Sequence, residues 1–416
     1  MARSGKDEFE FLNSKIWLDY TQVAYRSLDE IKYRLTQQKA LPKDWEELKN
    51  NISAHRKIGA VPLFLPSIEK KFWFYPSDSI TRKINEIERI GMELYSRINQ
   101  QPDFKQDFYL NSTIEEAITS AIYEGAHTTR AQAKQVIASN QAPQNKDEWM
   151  LINNYHAMEW VHGHRDQAVT EEVILELHKI VTQNTLEGDD SNFSGRFRNG
   201  KVFVGTVHEG IEHTLIRQAI EESLEITGKN PRYIHPLLKG ILLHYFIAYI
   251  HPFFDGNGRT ARALFYFKSM RNKLDYVQLL SISAYLKEHG QRYEKAFQKV
   301  VENDDDVTYF VDFCLDSIQS ALLIVSNKVD YLLRVNRLKA LLNLTANQIG
   351  LLQRLALHRF RTVSIEDYAS QIKMSREVAR QELKRLYDLK LLKETKAGKK
   401  LVYGIDKAQL EKLIEA

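Results

Sequence analysis

His251-Pro252-Phe253-Phe254-Asp255-Gly256-Asn257-Gly258-Arg259-Thr260-Ala261-Arg262 packs a base, an acid, an anion cradle and two arginines into one turn and the helix after it. An imidazole accepts a proton near neutral pH. The Asp255 carboxylate suits a hard cation such as Mg2+. Gly256 and Gly258 let the backbone turn its N–H groups inward on an anion. Arg259 and Arg262 add forked donors for phosphate oxygens. A nucleotide triphosphate site with its own base is the chemistry these residues suit.

Around this run the chain is ordinary. Its 416 residues allow two or three domains, and 43% hydrophobic with 27% charged residues describe a globular protein. A net charge of +4 is too small for this length to require nucleic acid. The one cysteine, Cys314, excludes an internal disulfide, and its apolar neighbours mark it as core. The N-terminus has no apolar signal region, and the longest apolar run, Gly240 to Ile250, is too short to span a bilayer. A soluble, cytoplasmic protein without a membrane partner is expected.

Helical spacing dominates. Residues 8–38 read as one or two amphipathic helices, Pro42 opens a short one, and Gly59 to Pro66 reads as extended connector because of its prolines. Helix then follows helix from Ser77 to about Ser326, broken once between Gly195 and Gly210. There Val202-Phe203-Val204, after Asn199-Gly200, carries a hairpin signal. Another helix begins at a capping box, Ser112-Thr113-Ile114-Glu115, and ends in Ser120-Ala121-Ile122-Tyr123-Glu124-Gly125. Glu124 falls at the edge of that helix's buried stripe, where it can face a basic group on a neighbour. From about Lys339, three short helices (349–358, 365–371 and 375–389) precede a hairpin over 390–405 with Ala397-Gly398 at its tip. Ser375 caps the third helix, Arg376, Arg380 and Lys384 share one of its faces, and the hairpin carries Lys393, Lys396, Lys399 and Lys400.

The opening run resembles the signature of the Fic family, HPFx(D/E)GNGRxxR, at every fixed position. The likeness extends over roughly Tyr75 to Ser326 and includes Glu176-Leu177-His178, His235-Pro236, Leu280 to Leu286 and Arg292-Tyr293. It departs at Ala248, where many members carry Glu, at Ala261, where many carry Gly, and at Glu294, where a second Tyr is common. The resemblance implies an all-α class: a Fic helical core with a β-hairpin flap, followed by a small α+β domain that resembles a winged helix. The expected divisions are a helical segment at 1–76 packing on the core, a catalytic domain at 77–326 and the winged helix at 339–416.

It also implies an activity, transfer of AMP from ATP to a Ser, Thr or Tyr hydroxyl of a target protein or of the chain itself. His251 would be the catalytic base. Asp255 would hold Mg2+, and Asp255, Gly256, Asn257, Gly258, Arg259, Thr260, Ala261 and Arg262 would line the nucleotide, with Tyr293 in the adenine pocket. The flap at Val202, Phe203 and Val204 would clamp the target segment by strand addition. Ser120, Glu124 and Gly125 resemble the family's inhibitory motif (S/T)xxxE(G/N), which implies that Glu124 pairs with Arg262 and keeps it from the ATP γ-phosphate. The same carboxylate could serve removal of AMP. Relatives that transfer other nucleotide-derived groups, from CDP-choline or UTP, or that act as kinases, remain an alternative. Gly258 favours AMP over the kinase variant. A homodimer stays open, and so does DNA binding by the winged helix, which is not favoured.

Overall fold

The computed structural model describes residues 5–102, 105–139, 142–204, 208–356, 362–397 and 400–415. The chain divides into two compact units, one of residues 1–91 with 115–321, the other of 92–114 with 322–416.

In the first unit, α1 (Gly5–Leu12), α2 (Lys15–Trp17), α3 (Leu28–Gln37) and α4 (Trp45–Gly59) make up the N-terminal segment. Side-chain caps start three of them: Ser14 accepts from the Trp17 N–H, Ser27 from the Glu30 N–H and Asp44 from the Glu47 N–H. Trp17, Ile31, Leu35, Trp45 and Ile52 form their shared core. A buried cation fastens this segment to the rest of the unit. Arg56 donates to the Tyr20 carbonyl at 2.8 Å, to the Arg26 carbonyl at 3.0 Å and to the Tyr309 hydroxyl at 3.2 Å. Its guanidinium lies 4.1 Å from the centroid of the Tyr25 ring, whose hydroxyl donates to Asp306 at 2.6 Å. Burial raises the Asp306 carboxyl to about 6, so the network holds a cation beside a carboxyl that resists ionising.

The expected connector after α4 is a hairpin instead. β1 (Val61–Leu65) pairs antiparallel with β2 (Lys70–Phe74), Val61 opposite Phe74. Val61, Leu63 and Leu65 point inward while Pro62 and Phe64 point out. Prolines argue against a helix here but not against a two-stranded ribbon, in which each strand is an edge.

Then come α5 (Asp78–Asn99), α6 (Lys105–Tyr123), α7 (Arg130–Ser139), α8 (Lys146–His164) and α9 (Glu171–Thr182). α6 starts seven residues before Ser112, so the expected capping box lies inside the helix. Glu115 pairs with Lys134 at 2.8 Å and Arg130 at 3.3 Å. The flap is β3 (Phe203–Val204) paired with β4 (His208–Glu209), and Gly205 at its tip lies outside the described residues. After α10 (Ile216–Lys229), α11 (Pro236–Ile250) and α12 (Asn257–Arg271) pack against one another as the core of the unit. Both are buried nearly all round; α11 is apolar nearly throughout, as a central helix is expected to be, whereas α12 also buries Asn257, Arg259, Thr260 and Arg262. α13 (Ile282–Glu288), α14 (Gly290–Glu302) and the start of α15 (Thr308–Leu341) complete it. α15 is the one helix among the described residues long and apolar enough to cross a membrane, yet 67% of its most apolar stretch is buried. Cys314 lies there, buried, with burial pushing its thiol up.

In the second unit, α16 (Ala346–Ala356), β5 (Thr362–Ser364), α17 (Ile365–Ile372), α18 (Arg376–Asp388), β6 (Leu392–Ala397), β7 (Lys400–Ile405) and α19 (Lys407–Glu415) surround a core of Leu351, Leu352, Tyr368, Leu383, Leu386 and Leu391. The sheet order is β5-β7-β6, so β5 adds a strand that the sequence reading lacks. Ser375 caps α18 by accepting from the Val378 N–H. His358, Gly398 and Lys399 lie outside the described residues.

Candidate active site

The site forms where α11 stops and α12 starts. His251 is the C-cap of α11, in the left-handed region at φ 52° and ψ 58°, with its N–H on the Ile247 carbonyl at 3.0 Å. A non-glycine residue adopts that conformation rarely, and such strain collects at functional positions. Pro252 ends the helix, lacking the N–H to continue it. The His251 Nδ1 lies 3.3 Å from the Ala248 carbonyl, which only a protonated nitrogen can address. That contact assigns the lone pair to Nε2, the form a base needs.

The loop is clamped by its own side chains. Asn257 accepts from the Phe253 N–H at 2.9 Å and donates to the Phe253 carbonyl at 2.8 Å. Asp255 accepts from the Gly256 N–H through Oδ1 and from Arg259 Nη2 through Oδ2 at 3.1 Å. Gly256, at φ +82°, is the N-cap of α12 and offers no side chain to cap it. The first-turn amides therefore face the loop as an anion site at the positive end of the helix. Gly258 is already helical and contributes differently from expectation: a side chain there would strike Glu124 Oε1. Its role is to admit that carboxylate.

Arg262 lies on α12, 3% exposed. It donates from Nη2 to Glu124 Oε1 at 2.8 Å and from Nε and Nη2 to the Ser120 hydroxyl at 3.1 and 2.9 Å. Its guanidinium sits 5.5 Å over the Tyr123 ring. Glu124 follows the last residue of α6, and Gly125 turns the chain away at φ +97°. One helix end thus supplies three of the groups that hold one cation.

Several expected nucleotide contacts are placed otherwise. Thr260 and Ala261 are fully buried and expose no atom to a ligand, a correction that follows from the core-facing side of α12. Arg259, also 3% exposed, spends its guanidinium on the Val181 carbonyl at 2.8 Å and on Asp255, so it serves here as a strut. Asn257 reaches backbone only. Tyr293 packs among Tyr123, Phe297, Phe310 and Phe313, with its hydroxyl 3.0 Å from His244 Nε2. The carboxylate of Asp255 is 49% exposed, so Mg2+ could be held there with phosphate oxygens as further ligands. Among the described residues no three His, Cys, Asp or Glu groups gather to hold a metal without such help.

His178 on α9 braces the loop from the side. Its ring stacks on Phe253 with centroids 3.6 Å apart, its Nε2 donates to the Asp255 carbonyl at 3.0 Å, and its Nδ1 accepts from the Gly195 N–H at 3.0 Å. A histidine on an apolar stripe with Val173 and Leu177 gives no local sign of this. Burial, then the Arg259 charge, lowers it to about 4, and burial holds His244 at about 3. Both stay neutral in the fold at a pH where the unfolded chain protonates them. Their contribution to stability is complete above pH 6.5 and falls as pH drops from there toward 4, at up to about 1.4 kcal/mol per pH unit for each. His178→Phe should lower the slope measured in denaturant titrations between pH 6.5 and 4.5 by up to about 1.4 kcal/mol per pH unit. An unchanged slope would mean that His178 protonates in the fold.

The Fic/DOC family model matches residues 168–267, which bracket this site. The protein adenylyltransferase Fic of Aedes aegypti is 28% identical over 253 residues, covering 57% of this chain and 48% of its own. Its counterpart in Drosophila grimshawi is 32% identical over 206 residues, 48% of this chain and 40% of its own. The chain spans about half the length of these curated relatives or less. A Fic family protein from Desulfovibrio desulfuricans shares the fold at a TM-score of 0.52 and 19% identity, covering 79% of this chain and 96% of that one. Fic-1 from C. elegans does so at 0.50 and 16%, covering 72% and 86%.

Proposed function

We propose that this chain, which carries a Fic domain, transfers AMP from ATP to a protein hydroxyl, and that Glu124 holds it repressed. The observation that carries this is the turn itself. A base with its lone pair on Nε2 and an uncapped helix N-terminus share one loop, clamped by Asn257. His251 takes the proton from a Ser, Thr or Tyr hydroxyl. The oxygen attacks the α-phosphorus, the bond to the β-phosphate oxygen breaks, and pyrophosphate leaves. The amides of α12 hold the phosphate charge as it moves, and Arg262, once released by Glu124, takes the outer phosphates. Asp255 would hold Mg2+, which when bound neutralises phosphate charge. Tyr293 would act on the adenine only as packing behind its pocket. Phe203, 69% exposed on the flap, is the natural contact for an extended target segment.

Incubation of the purified protein with ATP labelled either at the α- or at the γ-phosphate tests the reaction. Label should enter protein from α-labelled ATP only. Incorporation of the γ-label would make the protein a kinase instead.

The second unit reads as a winged-helix module that docks protein rather than DNA. On α18, Arg376 is paired with Glu366 at 2.6 Å and Arg380 with Glu377 at 2.9 Å, so two of the three basic groups on that face are already neutralised. A duplex would have to displace those carboxylates.

A further inference from the structure

We infer that Arg198 is a positioning residue that ties the alignment of His251 to the flap, an inference that rests on the transfer chemistry proposed above. Arg198 lies five residues ahead of β3 and is 3% exposed. Its Nε donates to the His251 carbonyl at 2.8 Å, and its own N–H to the Pro252 carbonyl at 3.0 Å. Nη1 donates to the Gly200 carbonyl at 2.6 Å and Nη2 to the Ile211 carbonyl. Gly200 precedes β3 and Ile211 follows β4. One planar fork therefore closes the base of the hairpin from both sides and grips the peptide of the base.

The charge serves geometry here. Glu209 and Glu212 act on Arg198 through space, yet its hydrogen bonds run to three carbonyls, each reached from a different nitrogen of the planar guanidinium, a spread that the single nitrogen of an ammonium cannot span although it also has three donors.

Packing repeats the connection. A Cβ on Gly210 would come within 2.7 Å of Arg198 Nη2 and 3.3 Å of the His251 Cβ, so the chain leaving β4 backs directly onto the base. Phe253 and Phe254 of the loop pack on Phe197 and Phe193 of the segment leading into the flap, at 5.7 and 4.9 Å between centroids.

This grip matters because His251 is held in a conformation that its own backbone disfavours. Such a residue keeps it only while its surroundings impose it. A rotation of the peptide after His251 would swing the imidazole away from an attacking hydroxyl. β3 and β4 pair over only two residues each, too few to be stable alone. A target segment that adds to the flap would firm it, and Arg198 is the group through which that order reaches His251. The base is then best aligned when a target is present.

The test uses the full chain with Glu124→Gly as parent, and Arg198→Lys, Arg198→Met and Gly210→Ala added singly. Auto-modification kinetics, calorimetric ATP titration and hydrogen exchange over residues 208–212 and 249–254 are measured. Arg198→Met should lower the transfer rate by roughly 10²-fold, the cost of a misplacement of about 1 Å. ATP affinity should stay within about twofold of the parent, and protection should fall in both segments together. Arg198→Lys should recover little, and Gly210→Ala should lower the rate with the arginine intact. Rates near the parent's, ATP affinity falling in step with rate, or protection lost in the flap alone would overturn the inference. Should the parent not transfer AMP at all, the reaction proposed above fails, and the exchange data still decide whether Arg198 joins the two segments. If Arg198→Met does not fold, the other two variants carry the comparison.

Discussion

Replacing His251 with alanine should lower the proposed AMP transfer by about 10³-fold while ATP binds with nearly unchanged affinity. The imidazole acts on the attacking hydroxyl, and a positioned base contributes roughly 10²- to 10⁴-fold. The groups placed to hold phosphate, by contrast, are the α12 amides and Arg262, which the substitution leaves alone. Loss of the side chain also relieves no clamp, since Asn257 and His178 hold the loop through Phe253 and Asp255. The comparison is made in the Glu124→Gly background, with α-labelled ATP for transfer and calorimetry for binding. Transfer within tenfold of that parent would mean another base. A parallel loss of ATP binding would place His251 against the phosphates instead.

Glu124→Gly should raise auto-modification about thirtyfold. The carboxylate holds Arg262 through a charged hydrogen bond at 2.8 Å, and a bond of that kind is worth roughly 2 kcal/mol. Productive ATP must break it, and about 1.4 kcal/mol corresponds to each factor of ten. Arg262→Ala breaks the same pair with the opposite result. It ends the competition but removes the cation that orients the triphosphate, so activity stays low. The double variant should behave like Arg262→Ala alone, the non-additive outcome of two residues in one network. A double variant as active as Glu124→Gly would leave Arg262 no part in orienting ATP. If Glu124 also positions a water for AMP removal, the Glu124→Gly protein should release AMP from a modified target more slowly while adding it faster. Equal labelling by wild type and Glu124→Gly would sink the inhibitory role.

His251 to Arg262 could be read from the sequence because its chemistry is local. Pro252 ends one helix, Gly256 turns the chain into the next, and Asn257 reaches four residues back, so the order of residues alone sets their geometry. The same holds for α16, α17 and α18 of the second unit, whose apolar spacing, with the Ser375 cap, is visible within a few residues. Packing across the chain decided the rest. Arg259 and Arg262 are three residues apart and alike on paper, yet α12 turns one toward Val181 and the other toward α6. Thr260 and Ala261 stand in the same motif and face the core. Whether Glu124 meets a cation depends on how α6 lies against α12, an approach 138 residues distant in sequence that Gly258 makes room for. Arg198 and His178 gave no local sign, because what they bind is main-chain carbonyl and amide, which every residue carries. The sequence alone therefore determined which groups this protein brings to its site. Only the tertiary structure decided which of them face a ligand and which hold the others in place, since burial and long-range hydrogen bonding are properties of the packed helices rather than of any one segment.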